Sequence, residues 1–175
     1  AIADGYVTRA STLAELAAES ARIVLGEVQS QQCRWPDGPG SLIYTHTTLR
    51  IDTVLKGAAA KEITLAEVGG TIGDVTCMVI GMPQYRIGDR VLVFLKKDAL
   101  NFWRTHGLVQ GRFAITLNRL TTEDVLTPSQ GCEHTWRRYF AAEAISASGC
   151  IDLDEFSSKV QELVLLAGKK TEDKR

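Results

Sequence analysis

The sequence predicts a mainly β protein: a small, closed, antiparallel sheet of five to six strands, with a short helix ahead of it and a helical extension behind. Three observations carry that expectation. Residues 42–57, LIYTHTTLRIDTVLKG, place Ile43, Thr45, Thr47, Leu49 and Ile51 on one side of an extended backbone and Tyr44, His46, Thr48, Arg50 and Asp52 on the other. That is the period of two of a strand with one face on a core. Elsewhere, short apolar runs are separated by glycine and proline turn signals, which suit a closed sheet better than parallel β-α-β units. Val91 to Leu95, VLVFL, is apolar on both faces. Such a strand is an interior one, covered by a helix or closed into a barrel.

The elements follow in order. Thr12-Leu-Ala-Glu15 has the T-x-x-E form of a capping box, and Leu13, Leu16 and Ala17 then line one side of a short helix. Residues 21–28, ARIVLGEV, read as the first strand, with Gly26 a bulge or bend, continuing less regularly to Trp35. Residues 36–40, PDGPG, turn the chain into the long strand, which ends at Lys56-Gly57. Glu62 to Val68 alternates as a third strand, Gly69, Gly70 and Gly73 make a corner, and Asp74 to Ile80 is a short strand with Val75, Cys77 and Val79 on one side. Phe102 to Val109 and Arg112 to Leu117 read as a final hairpin around Gly111. After Asn118 the character changes, so the expected organisation is a barrel over residues 1–118 and an extension, 119–175, packed on it without being an independent domain. Within the extension, Arg119 to Gln130 reads as polar turns and Trp136 to Ile145 as a helix. Asp152-Leu-Asp-Glu155 has the spacing of another helix start; Phe156, Val160, Leu163, Val164 and Ala167 mark its apolar face, Gly168 its C-cap, and KKTEDKR a frayed end.

Composition bounds the function. The formal net charge of -1 and the scattered Lys and Arg doublets argue against a nucleic-acid partner held by phosphate contacts. No apolar run reaches the roughly 18 to 20 residues of a membrane span. Four cysteines, Cys33, Cys77, Cys132 and Cys150, contain no C-x-x-C pair, so zinc ribbons and thioredoxin-type sites are disfavoured. Two disulfides in an exported protein is the preferred reading, against buried thiols in a cytosolic one. Of three connectivities, Cys33–Cys77 with Cys132–Cys150 keeps each bridge within one structural unit; the others stay open. The start AIADGYVT, without an initiator Met, fits a secreted or periplasmic product trimmed at a small-residue signal site.

Four strings in order, ARIVLGEV, IYTHTTLRIDTVLKG, GGTIGDVTCMVIGMPQYRIGDRVLVFL and GLVQGRFAI, resemble an exported bacterial domain of unassigned activity, often seen near secreted metalloproteases. The resemblance spans residues 12–117 and, weakly, the last helix. More remotely, a helix, a strand of the ARIVLGEV type and a long strand ending in L-K-G are similar to the netrin-like modules, which include the tissue inhibitors of metalloproteinases. That likeness implies an oligomer-binding-type five-stranded barrel with helices outside it, and a protein partner, a secreted metalloprotease among the candidates. Those inhibitors chelate the protease zinc through a cysteine at the mature N-terminus. Here the first residue is Ala1 and the first cysteine Cys33, a departure that sets the chelating mechanism aside.

Chemistry-bearing residues are few. Cys132-Glu-His134 would need two further ligands to hold zinc, so no metal and no cofactor is expected. Gly69-Gly-Thr-Ile-Gly73 lacks the Lys-Ser/Thr ending of a phosphate loop, and no Ser and His pair has a nucleophile-elbow context. The candidate binding residues are Tyr44, His46 and Arg50, one face of the long strand, where stacking and hydrogen bonding could meet a ligand. The leading expectation is an exported, non-enzymatic module that contacts another protein. Binding of an oligosaccharide or single-stranded nucleic acid on that face is the alternative, and a hydrolase with a cleft assembled from distant segments is the third.

Overall fold

The computed structural model describes residues 9–129, 132, 135–146 and 149–172. Helix α1, Leu13–Glu19, starts at the expected capping box: Thr12 Oγ1 accepts from Glu15 N at 3.1 Å, and Glu15 Oε2 accepts from Thr12 N at 2.8 Å. Its last carbonyls, of Ala17 and Ala18, accept from Lys56 Nζ at 2.7 and 2.9 Å, which ties the helix to the end of the long strand.

Strands β1 (Arg22–Arg34) and β2 (Tyr44–Lys56) form one long antiparallel pair, and β2 pairs in turn with β3 (Glu62–Val68). A small hairpin, β4 (Gly70–Ile72) with β5 (Val75–Cys77), stands off as a separate two-stranded sheet. Then β6 (Arg90–Lys97) returns to β1, and β7 (Trp103–Thr105) joins β6 to β3, meeting β3 in parallel at Leu65 and Trp103. The circuit β1-β2-β3-β7-β6-β1 closes a five-stranded barrel, a closure that leaves none of these strands with a free edge along the circuit. Gly26 sits at a register shift opposite Ile51, and a Cβ there would stand 2.3 Å from Arg50 O, so glycine is what allows β1 and β2 to bend together.

The two-faced apolarity of β6 has a plain cause. Val91, Val93 and Leu95 fill the barrel with Val24, Val28, Leu49, Ile63 and Leu65. Leu92 and Phe94 point outward, where Phe113, Leu13, Leu16, Trp136, Phe156 and Val160 bury them. Helix α2, Leu153–Glu172, lies on this outer wall; its start is capped as expected, with Glu155 N donating to Asp152 Oδ1 at 2.9 Å. The rings of Phe113, Phe140 and Phe156 pack at 4.9 and 5.6 Å between centroids.

Several expectations are corrected. Residues 102–117 are no hairpin: β7 and β8 (Arg112–Leu117) both pair antiparallel with β6, one broken strand interrupted by a 3₁₀ turn at Leu108–Gly111. The segment 119–130 is not all turns, because β9 (Asp124–Pro128) extends the sheet beside β8 and accepts β10 (Ile151–Asp152). Trp136 to Ile145 forms two 3₁₀ turns, Arg137–Tyr139 and Ala142–Ala144, in place of a helix, because burying Trp136 and Phe140 against Phe156 outweighs helical regularity. The strand expected over 74–80 shrinks to β5 and lies outside the barrel. Helix α2 runs through Gly168, which is no C-cap, and Lys169 to Glu172 are helical where fraying was expected. The bridges Cys33–Cys77 and Cys132–Cys150 are not formed; among the described residues there is no disulfide. The Cys33 thiol lies 3.4 Å from Thr45 Oγ1, and that of Cys150 lies 3.2 Å from Thr127 Oγ1.

Candidate functional site

On the β2–β3–β7 wall the helices reach only the Leu55–Lys56 end of β2. The last helix packs on the aromatic cluster, which takes Leu55 from β2 and none of Tyr44, His46 or Arg50. Alternation sends Tyr44, His46, Thr48 and Arg50 outward along β2, as the period of two requires. In register, His46 lies beside Ala66 of β3. Ala66 offers only a methyl group between β2 and β7, so side chains from the two flanking strands reach across it.

What reaches across comes from the loop and strand that close the barrel. The His46 ring meets Phe102 edge-on at 6.0 Å, and the Arg104 guanidinium lies 4.8 Å over the Tyr44 ring and 5.8 Å from that of Phe102. Asp98 positions this pair. Its Oδ1 accepts from Leu100 N and Phe102 N, both at 2.9 Å, and its Oδ2 accepts from Arg104 Nε and Nη2, both at 2.8 Å. Partial burial pushes the Asp98 carboxyl up, but these hydrogen bonds and the adjacent guanidinium win and hold it below the usual range. The other guanidinium nitrogen, Arg104 Nη1, is buried and has no hydrogen-bond partner among the described residues. Desolvation, then the charges of Arg34 and Arg104, lower the His46 pKa, so the imidazole is neutral at neutral pH.

Of the three sequence-derived candidates, Tyr44 and His46 therefore belong to one cluster. Arg50 does not join it: its guanidinium pairs with Glu27 at 2.9 Å and Asp52 at 2.8 Å. The sequence does not single out Phe102 and Arg104, because a hairpin over 102–117 gives them no partner on β2; the run Phe102-Trp-Arg104 is the available signal. Exposed apolar side chains flank the cluster, Leu42 at 53% and Leu100 at 69% exposure, with Phe102 itself at 41%.

A second feature opens at the barrel mouth, a cavity of 630 Å³ between the β1–β2–β3 ends, the β4–β5 hairpin and the segment 78–85. Thr47, Glu67 and Tyr85 line it, along with four sulfur-bearing side chains. Glu67 Oε1 accepts from Thr105 N at 2.7 Å, and Tyr85 Oη and Thr105 Oγ1 are 2.6 Å apart. Burial raises the pKa of Glu67, against the opposing hydrogen bond from Thr105, and burial likewise pushes up the Tyr85 phenol. Glu67 is the one carboxylate among the lining residues, so the cavity contains no acid pair of the kind glycoside hydrolysis uses. Among the described residues no group of three His, Cys, Asp or Glu is arranged around a metal position, and no helix is long and apolar enough to cross a membrane. His134, one of the residues weighed for zinc, lies outside the described residues. Comparison with known protein families, with curated proteins and with solved structures finds no match.

Proposed function

We propose that this chain is an exported, non-enzymatic binding module that grips another protein through the open β2–β3–β7 wall. The observation that carries the reading is the cluster of Tyr44, His46, Phe102 and Arg104, held in place by Asp98 and flanked by exposed Leu42 and Leu100. Aromatic rings and arginine beside apolar rims are the composition of energetic centres in protein interfaces. The neutral imidazole and the exposed Phe102 edge, with Leu42 and Leu100 beside them, favour a partner segment that presents an apolar side chain. A secreted metalloprotease is the partner class suggested by the resemblance to the netrin-like inhibitors, with the barrel wall as the contact.

The same wall is where oligomer-binding barrels take extended ligands, which keeps an oligosaccharide or single-strand reading in play. Two facts weigh against it. Arg104 already covers one face of the Tyr44 ring, which a base or sugar would need for stacking, and the net charge of -1 offers little to phosphates.

The test places a photo-reactive residue at Thr48 of the full chain, exposes it to an extracytoplasmic fraction, identifies the adduct and titrates the purified partner. Arg104→Ala and Tyr44→Ala are each expected to weaken that binding about tenfold or more. Equal affinity in both variants overturns the assignment of the wall. Binding of oligo(dT) or of a saccharide panel, lost in Arg104→Ala, replaces the protein partner with the second reading.

A further inference from the structure

The chain contains two methionines and four cysteines. Both methionines and two of the cysteines line the cavity at the barrel mouth. Three of these four side chains come from a single run, Cys77-Met-Val-Ile-Gly-Met82, and the fourth, Cys33, comes from the far end of β1.

Register explains how distant sulfurs meet. Gly70 lies directly across from Cys77 in the β4–β5 pair, so a side chain on Gly70 would stand on the same side of the hairpin as Cys77. That space is taken: a Cβ on Gly70 would lie 2.7 Å from Cys33 Sγ and 2.5 Å from Thr45 Oγ1. The Cys33 sulfur thus occupies the volume glycine leaves open, one cross-strand step from Cys77. Thr45 Oγ1 donates to Gly69 O at 2.7 Å, so toward Cys33 it accepts, and that contact leaves the sulfur lone pairs uncommitted. The run after Cys77 turns back on itself through Met82 N donating to Val79 O at 3.3 Å, while Met78, 81% exposed, is an unbranched arm at the rim.

We propose that this sulfur cluster is a binding site for a soft monovalent metal ion of the Cu(I) class, held by the thiolates of Cys33 and Cys77 with the Met82 thioether as third ligand and Met78 closing over it. Thiolate and thioether donors select Cu(I) over the harder divalent ions, and three soft ligands satisfy it. Zinc would want four ligands drawn from cysteine, histidine and carboxylate, and the lining contains no histidine. Binding releases the two thiol protons and transfers no electron. The site lies at the barrel mouth and stands independently of the partner proposed for the outer wall.

The test uses the full chain, reduced and desalted without oxygen. With methyl-labelled methionine the spectrum has two methyl signals, and Ag(I), the redox-inert probe for such a site, is expected to shift both and to saturate at one equivalent. In competition against bicinchoninate the protein withdraws one equivalent of Cu(I). Cys33→Ser and Met82→Leu are each expected to weaken that affinity about tenfold or more, and Cys150→Ser to leave it unchanged. Met82→Leu conserves volume, so it reads the thioether with the fold intact. Methyl signals unmoved at one equivalent, or unchanged Cu(I) affinity in both variants, overturn the site. So does a Cys33–Cys77 disulfide that survives the reductant, which would make the two sulfurs a structural staple.

Discussion

Two walls of one barrel, built from the same kind of alternating strand, meet opposite fates. On the β6 wall the outward side chains are Leu92 and Phe94, and α1, α2 and the Trp136 region bury them completely. On the β2–β3–β7 wall the outward side chains are Tyr44, His46, Thr48, Arg50 and Phe102, and the helices reach only the Leu55–Lys56 end of β2. The apolar stripe of α2, Phe156, Val160, Leu163 and Val164, gains hydrophobic free energy only over an apolar wall, so the polarity of the outward residues decides which side is covered. The wall left bare exposes the Phe102 ring, while its guanidiniums are tied to Asp98, Glu27 and Asp52.

The largest effect that tests this contrast is on the covered wall. Phe156→Ala removes a ring packed against Phe113, Phe140 and Trp136 and is expected to cost about 3–5 kcal/mol, read as a lower denaturation midpoint at unchanged m. A loss below about 1 kcal/mol would mean that α2 is not part of the core. Thr12→Ala, which deletes the capping oxygen of α1 under the same wall, is expected to cost about 1 kcal/mol in the same measurement. On the open wall, His46→Ala is expected to change stability by no more than about 0.5 kcal/mol; a larger loss would show that the ring supports the fold.

The barrel interior gives a sharper check through pH. Burial raises the Glu67 pKa above 4.5, so the folded protein keeps a proton that the unfolded chain gives up. This contribution is full below pH 4.5 and is lost as pH rises through the folded value. Glu67→Gln keeps an acceptor for Thr105 N and should flatten that part of the stability profile; an unchanged slope in urea melts would assign the titration elsewhere.

Local signals were legible wherever the stabilising partners are local. The capping box at Thr12 and Glu15 and the Asp152 start of α2 involve residues three apart, and both form as read. Alternation along 43–52 placed Tyr44 and His46 on the outer wall. It could not place Phe102 and Arg104 beside them, because that meeting depends on the parallel closure of β7 on β3. Asp124–Pro128 has no alternating signature of its own; β8 makes it a strand by pairing Ile115 with Leu126 and Phe113 with Pro128. The helix expected at 136–145 gives way because Trp136 and Phe140 are drawn to Phe156, a distant residue no local window contains.

By itself, then, the order of residues determined which segments extend, where α1 and α2 begin, and that β6 must be buried on both sides, since these follow from side-chain periodicity and from groups within a turn of one another. Only the closed barrel decided which outer wall is bare, that Arg104 lies over Tyr44, and that Cys33 comes to lie beside the hairpin of Cys77. Those juxtapositions join residues far apart in the chain. Their loop-closure cost is offset by sheet pairing and burial of the whole barrel, which no single stretch encodes.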